Sequence, residues 1–505
     1  MKTPSEIPPL GKNNELPALR IAIVGTGCTG LRIAHLLCLW QRENPEARKI
    51  SIKLFEAEQN VGGLLQTRRL ASGLKIECAA QGVLASRKAF IDTLNELNLT
   101  PSDVISPSPE RTHQTRFVIS PSGRPAALTG PLSLLRSGVL NFRELVRALL
   151  EIFVRPKLPP DNHETLYQFA TRRFGKAVAE NLMLPMATGI WGGGAESLLV
   201  RHAFPLLPEM EIKHGSVVRG LLAKTLTRKK QLPSSPSAQA SQQWPKGLLS
   251  FPNGMQTLVE SFQSKLIRWG EENPGALEFL HSHPVESIQT ATNNCIRLNA
   301  AHEFDVVFWT AVPWKAQNLQ WDIPEAASDW QRWIAAPSHS LVVVNVAGRK
   351  SPSTQNGFGV LARRESTALL GVLFVHSIYP QHVPEGFYSY RVLIGGDRCP
   401  EAIGWSDEEL RKYTLAELNR LELLDAHQEP EDIQIVRWQN VVGIADRNHD
   451  ERLKSLWRIQ ARYPGLYFAG IYKKGVGVAD ALQSAADAVQ EWKMRETTVD
   501  QGTRA

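Results

Sequence analysis

The chain has 505 residues, 43% hydrophobic and 21% charged, the composition of an ordinary globular protein with length for two or three domains. A net charge of +7 is mild for that length; it gives no argument for nucleic acid as a partner and is compatible with anionic ligands or an anionic membrane surface. Five scattered cysteines (Cys28, Cys38, Cys78, Cys295, Cys399) form no C-x-x-C pair, which argues against a disulfide framework or zinc site and fits a reducing, cytoplasmic compartment. No window holds the ~20 uninterrupted apolar residues of a membrane span.

Residues 1–18 are rich in proline and polar residues, lack the apolar segment of a signal peptide, and are expected to form a flexible leader. Residues 21–24 form a short β-branched run, the pattern of a buried parallel strand. Gly25, Thr26, Gly27, Cys28, Thr29 and Gly30 follow at once as G-x-G-x-x-G. The first glycine permits a tight turn, the second lets backbone approach a pyrophosphate, and the third lets a helix pack on the strand. A helix opening near Thr29 would aim its free N–H groups at that pyrophosphate. Residues 51–55 read as the second strand, ending at Glu56 and Ala57, where a carboxylate can accept hydrogen bonds from a ribose. Glu56 lies 26 residues beyond Gly30, and the polar insert 41–49 accounts for the extra length. The plainer alternative is a glycine turn in some other α/β domain; the strand before, the helix after and the acid at the next strand end favour a nucleotide.

Gly62, Gly63 and Leu64 follow Glu56 within one short loop. This Glu…Gly-Gly arrangement resembles the flavoprotein family of amine oxidases, phytoene desaturases and protoporphyrinogen oxidases, and later segments are most similar to the protoporphyrinogen oxidases. The family usually carries an arginine after the glycine pair, where this chain has Leu64, Leu65 and Gln66. Its Glu-x-Gly-Pro segment is matched by Glu77, with Ala79 and Ala80 in place of Gly-Pro. Gln81 then stands where an arginine or asparagine is usual; it can donate a hydrogen bond to a substrate carboxylate but cannot form a bidentate charged pair. Gly82 continues this flavin-facing segment. Arg87 and Lys88 are nearby substitutes, more plainly read as solvated loop charges.

Residues 131–154 place Leu145, Leu149 and Phe153 on one helical face beside Arg143 and Arg147. The pattern favours a core-facing helix; the resemblance raises the alternative of a membrane-surface helix. The helical stretch 164–183 and the following G-I-W-G-G and R-x-A-F-P are similar to protoporphyrinogen oxidases. Residues 225–246, rich in Ser, Gln and Pro, read as a disordered insertion. Residues 251–270 restart order, with Asn253 and Gly254 opening a helix that places Leu258, Phe262 and Leu266 on one face, and residues 279–288 and 295–298 read as strands returning to the nucleotide domain. Val285 falls where the family sets backbone against the adenine. His281 and His283 have no carboxylate or cysteine at ligand spacing, so no metal is expected. Residues 305–313 read as an apolar strand ending near Ala311, where the family approaches the flavin. Phe358 matches an aromatic residue thought to pack on a tetrapyrrole, though it is equally readable as core. Ser406 and Glu409 form a capping box. Trp438 lies in VRWQNV, after which the family's P-x-Y-x-x-G-H is replaced, with only His449 retained. In 463–489, Gly470, Ile471, Val476, Gly477 and Val478 lead into a helix whose N-terminus would face the flavin's pyrimidine edge. Lys474, just before Gly475 and Gly477, could pair with a propionate or with reduced flavin, or remain a surface charge.

The resemblance implies an α/β chain. Its expected parts are a discontinuous Rossmann-like FAD-binding domain (19–90, 247–315 and 430–495), a mainly helical, membrane-contacting domain (91–220) and an α+β substrate-binding domain (316–429). It further implies FAD-dependent oxidation of protoporphyrinogen IX by oxygen, with no catalytic side chain because the flavin carries the redox step. Coproporphyrinogen oxidation, another flavin oxidase or desaturase activity, and a weakly catalytic flavin- or porphyrin-binding role are the alternatives. The inner face of the cell membrane and a homodimer are admitted as partners.

Overall fold

Leu19–Val24 is the middle strand of a five-stranded, all-parallel sheet in the computed structural model, which describes residues 17–158, 161–230, 243–291, 295–351, 354–363, 368–425 and 429–503. The order across it is Leu466–Phe468, Val306–Trp309, Leu19–Val24, Ile50–Phe55, Leu277–Leu280. Both faces are covered, which is why these strands are apolar at successive positions rather than alternate ones. Ile21 and Ile23 pack under Leu31, Phe262 and Leu482, from the helices Cys28–Glu43, Gln256–Glu272 and Val478–Thr503. Ala22 and Val24 face the opposite way, toward Trp330, Trp333 and Leu456 of Ala327–Ile334 and His449–Arg462.

A second sheet has seven strands in the order Asp432–Gly443, Ser338–Arg349, Phe387–Gly395, Leu369–Phe374, Gly359–Leu361, Arg116–Ile119, Pro125–Ala127. Val342, Val344, Tyr390, Val392 and Ile394 bury one face against Leu410 and Leu418 of the capped helix Asp407–Arg420. Val343 and Val436 turn the other face toward Cys78, next to the first glycine-rich unit.

Several expected boundaries move. Residues 432–443 pair along Ser338–Arg349 and so join the seven-stranded sheet instead of the nucleotide unit, because strand periodicity does not say which sheet a strand enters. The stretch 116–127, expected in a mainly helical part, supplies two strands to the same sheet. Residues 279–288 divide: Leu277–Leu280 completes the parallel sheet, whereas Ser287–Thr290 enters a separate four-stranded sheet with Ile296–Leu298, His302–Phe304 and Gln320–Asp322. The helix expected over 131–154 is broken into Pro131–Arg136, Phe142–Leu149 and the tight turn Leu150–Phe153, with Gly138 at φ +70° between the first two. The helix Val217–Lys230 runs through 225–230, the first part of the expected insertion; 231–242, like residues 1–16, lies outside the described residues. Among the described residues no helix is long and apolar enough to cross a membrane.

Candidate active site

Three backbone segments converge at the C-terminal end of the parallel sheet. The first is the glycine turn. Gly25 has φ +96° and donates its N–H to the Phe55 carbonyl at 2.9 Å, while Thr310 Oγ1 donates to the Val24 carbonyl at 2.7 Å. Gly27 caps the helix Cys28–Glu43 without any side-chain hydrogen bond, and a Cβ there would meet nothing within 4 Å. The helix thus opens with no acidic residue in its first turn and with free space before its N–H groups, the arrangement that receives an anionic phosphate. Thr29 and Cys28 lie in that first turn. Gly62 donates its N–H to the Thr26 carbonyl at 2.9 Å and brings Gly63 and Leu64 beside the turn.

Glu56 ends its strand as expected. One carboxylate oxygen accepts from the Thr26 N–H at 3.0 Å and from the Thr26 hydroxyl; the other accepts from the Glu58 N–H at 3.0 Å, next to Ala57. A carboxylate has about four acceptor positions, so room for a ribose hydroxyl remains. The His283 N–H donates to the Glu56 carbonyl at 2.7 Å, which holds Val285 close by. Ala311 lies two residues beyond Trp309, whose indole N–H donates to its carbonyl at 3.1 Å.

The second segment runs from Glu77 to Gly82. Arg391, buried in the seven-stranded sheet, donates to the Glu77 carbonyl at 2.6 Å and also to the Ala79 carbonyl. Trp438 donates its indole N–H to the Cys78 carbonyl at 2.8 Å. These bonds fix Ala80 and Gln81 between the two sheets. Gln81 is buried, and its Nε2 has no acceptor among the described residues, so a donor stands ready for a ligand oxygen. At Gly82 a Cβ would meet the Leu249 carbonyl and the Tyr379 hydroxyl, each at 2.6 Å. Glu77 itself accepts from the Met255 N–H at 2.8 Å and from Thr67 Oγ1 at 3.0 Å. Burial pushes its pKa up to about 7 against these bonds and the nearby Arg391 charge. A carboxyl with a raised folded pKa supports the fold below its ordinary pKa and loses that support as pH rises through the folded value. The melting temperature should therefore fall between about pH 5 and about pH 8, and Glu77→Gln should flatten that fall; equal slopes in pH-dependent thermal unfolding would refute this.

The third segment is Ala469–Val478. Gly470 donates its N–H to Ser484 Oγ at 2.9 Å, and Gly477 donates to Asp480 Oδ2 at 3.1 Å, so Ile471, Val476 and Val478 are held at the start of the C-terminal helix. Arg87 forms an ion pair with Asp480 and bridges this segment to the second one. Lys474 pairs with Asp487 at 3.0 Å on a half-exposed surface, although part of the residue lines a cleft between this segment and Trp191, Trp314, Ile444, His202 and His449. Lys474→Ala is expected to change stability by less than about 0.5 kcal/mol in thermal unfolding, as exposed pairs contribute little. Phe358 packs beneath the Arg116 guanidinium at 4.6 Å, and its backbone bonds go to Thr115 and Phe374; no such contact joins it to Gln81. Among the described residues no three His, Cys, Asp or Glu side chains form a metal site.

Arg391, Thr310, Asp480 and His202 were not expected at the site. A lone arginine inside the apolar strand YRVLI is the one legible signal among them, because a buried cation needs several acceptors.

Comparison with known proteins agrees with this geometry. The family model of flavin containing amine oxidoreductases matches residues 29–491. A mitochondrial protoporphyrinogen oxidase of Nicotiana tabacum is 28% identical, covering 95% of this chain and 96% of the relative. A coproporphyrinogen III oxidase of Bacillus subtilis is 26% identical, covering 93% and 97%. A crystal structure from Exiguobacterium sp. 255-15, provisionally described as a protoporphyrinogen oxidase, shares the fold with a TM-score of 0.75 at 20% identity, over 95% of this chain and all of that one. An uncapped helix N-terminus beside the Gly27 gap and the unpartnered Gln81 amide fit a flavin dinucleotide. The chain belongs to the flavin containing amine oxidoreductase family and is an oxidoreductase with FAD as its cofactor.

Proposed function

We propose that this protein oxidises a porphyrinogen to the corresponding porphyrin in haem biosynthesis, with protoporphyrinogen IX as the first substrate and coproporphyrinogen III as the second reading. The carrying observation is the likeness to relatives bearing both names, aligned over more than nine-tenths of each chain. When bound, the flavin supplies the hydride acceptor and passes the electrons to oxygen, giving hydrogen peroxide.

The chain's own residues bind and orient. The glycine turn and the free end of Cys28–Glu43 hold the pyrophosphate, Glu56 and the backbone at Val285 hold the adenosine, and Gly470 to Val478 hold the ring end. Gln81 donates to a ligand oxygen, and Phe358 offers an aromatic face to the macrocycle. Holding a flat apolar substrate in one orientation contributes much of the rate. In this reading the FAD-binding part is a Rossmann-like unit made of 19–90, 247–315 and 444–495. The seven-stranded sheet is the substrate part.

A membrane surface is the proposed docking place. Phe142 and Phe153 are each 71% exposed, with Leu149 and Leu150 exposed between them, beside Arg143 and Arg136. Apolar side chains flanked by basic ones suit the boundary of an anionic bilayer.

The test is anaerobic. FAD-loaded protein is mixed with protoporphyrinogen or, separately, coproporphyrinogen. Bleaching of the flavin band with the appearance of porphyrin fluorescence is expected, and the faster substrate identifies the reaction. A flavin that stays oxidised with both refutes the proposal.

A further inference from the structure

Two histidines face each other across the wall of the cleft beside Ile471 and Val476. His202 Nε2 lies 3.0 Å from Asp450 Oδ1, and Asp450 also pairs with Arg201. The His202 and His449 rings meet edge to face, with centroids 4.6 Å apart. Both rings line the cleft, opposite the C-terminal glycine segment that holds the ring end of the cofactor. The contact between Asp450 Oδ1 and His202 Nε2 fixes that ring, which in turn packs His449. His449 is partly exposed, and no hydrogen bond engages its ring among the described residues. Leu199 and Ile444 already tie the loop, through bonds to Ala445 and Pro337.

We propose that His449 is the acceptor for the N–H proton that the substrate loses when it is oxidised, with His202 and Asp450 as positioning residues. This deepens the porphyrinogen reading and rests on it. A two-electron step removes one meso C–H hydrogen with its electron pair, as hydride to the flavin, and one N–H hydrogen as a proton; over three such steps one further meso hydrogen shifts to nitrogen by tautomerisation, so that four C–H and two N–H hydrogens are lost in all. The N–H electron pair becomes part of a new C=N bond, and His449 becomes imidazolium until it gives the proton to solvent. The N–H is acidic only once the hydride has left a cation behind, so a weak neutral base suffices. The surroundings keep His449 neutral. Burial lowers its pKa to about 3, helped by His202, Arg452 and Arg201, and burial with Arg201 lowers that of His202 to about 4. The other charges facing the pair are Asp450, Asp446 bound to Arg452, and Lys474 held by Asp487 across the cleft. A neutral base does not repel the substrate cation, as an imidazolium would.

The test uses FAD-loaded wild type, His449→Ala and His449→Asn, with the porphyrinogen that bleaches the wild-type flavin. Bleaching is expected to slow by roughly 100-fold, within the range for a lost general base. Added imidazole should restore part of the rate in His449→Ala, following the fraction of neutral imidazole as pH rises. Porphyrin binding, read by fluorescence quenching on the oxidised enzyme, should be unchanged in both variants. Bleaching at the wild-type rate overturns the proposal, and so does a slow variant that imidazole leaves slow. A wild type that neither porphyrinogen bleaches refutes the functional reading itself.

Discussion

Gly30→Ala is expected to purify almost free of FAD. An ideal Cβ at Gly30 would stand 1.9 Å from the Gly25 carbonyl oxygen and 3.2 Å from Ile23 Cγ2. The first of these is backbone, so no rotamer change relieves it. Either the helix Cys28–Glu43 lifts from the strand Leu19–Val24 or the turn carrying Gly25 opens. Ile23 and Leu31 are fully buried at this contact, so lifting also opens a packed core. Overpacking of this kind destabilises by about 1–3 kcal/mol. Because the displaced turn is the proposed pyrophosphate cradle, the same energy is expected to appear as roughly 10- to 100-fold weaker FAD binding. Gly27→Ala separates the two effects: its Cβ meets no protein atom within 4 Å, so the melting temperature of the FAD-free protein should hold while FAD affinity falls. The checks are flavin absorbance per chain and thermal unfolding with FAD removed. A Gly30→Ala protein that retains its full FAD would contradict the assignment of this turn.

Glu151→Ala is expected to destabilise the protein by about 3–5 kcal/mol, the effect of stranding a buried charge. Glu151 and Arg173 both have side chains at 0% exposure and form a direct ion pair. Glu151 also accepts from the Ser216 hydroxyl, from the Val217 N–H at 2.9 Å and from the Val218 N–H at 3.2 Å, so it caps the helix Val217–Lys230. Arg173 donates further to the Val154 carbonyl at 2.9 Å. Next to this pair, Arg172 bridges Glu164 and Glu211, each contact at 2.7 Å. The network ties four helical segments together. Burial alone would raise the Glu151 pKa, but Ser216, Val217, Arg173 and Val218 together hold it below the ordinary carboxylate value. A lowered folded pKa contributes stability above the ordinary pKa that is lost as pH falls through the folded value. Wild type should therefore lose more stability than Glu151→Ala between about pH 5 and about pH 3. The double variant Glu151→Ala/Arg173→Leu should regain part of the loss, because the unpaired cation is gone. Denaturant unfolding of the three proteins decides it; a double variant no better than the single one would count against a buried-charge origin.

The strand, turn and helix proposed to hold the nucleotide were legible because the signals for them are local. Strand, glycine turn, helix and Glu56 lie within one short stretch, and each residue type is required by the backbone around it. Ser406 and Glu409 were legible for the same reason: the box closes within one helical turn. What was not legible depends on partners distant in sequence. Nothing near Arg391 says that its acceptors will be the Glu77 and Ala79 carbonyls, and nothing near Arg87 says that it will meet Asp480. The break at Gly175, φ +95°, was hidden inside an otherwise strong helical pattern, because its cause is Arg147 arriving from another helix to donate to the Arg172 and Arg173 carbonyls. Residues 432–443 alternate as a strand should, but alternation is the same for either sheet.

Leu466–Phe468 is the last strand of the parallel sheet, and it reaches the first, Leu19–Val24, only through Val306–Trp309. The order of synthesis therefore differs from the order of assembly. On the ribosome, the glycine turn emerges early and must wait, with one side of its sheet unpaired, until nearly the whole chain has followed. On the proposed site, FAD captured before then would meet the glycine turn but not Gly470 to Val478, which arrive last. That reading predicts that cofactor loading follows completion of the chain, and that a chain truncated before Leu466 loses its flavin.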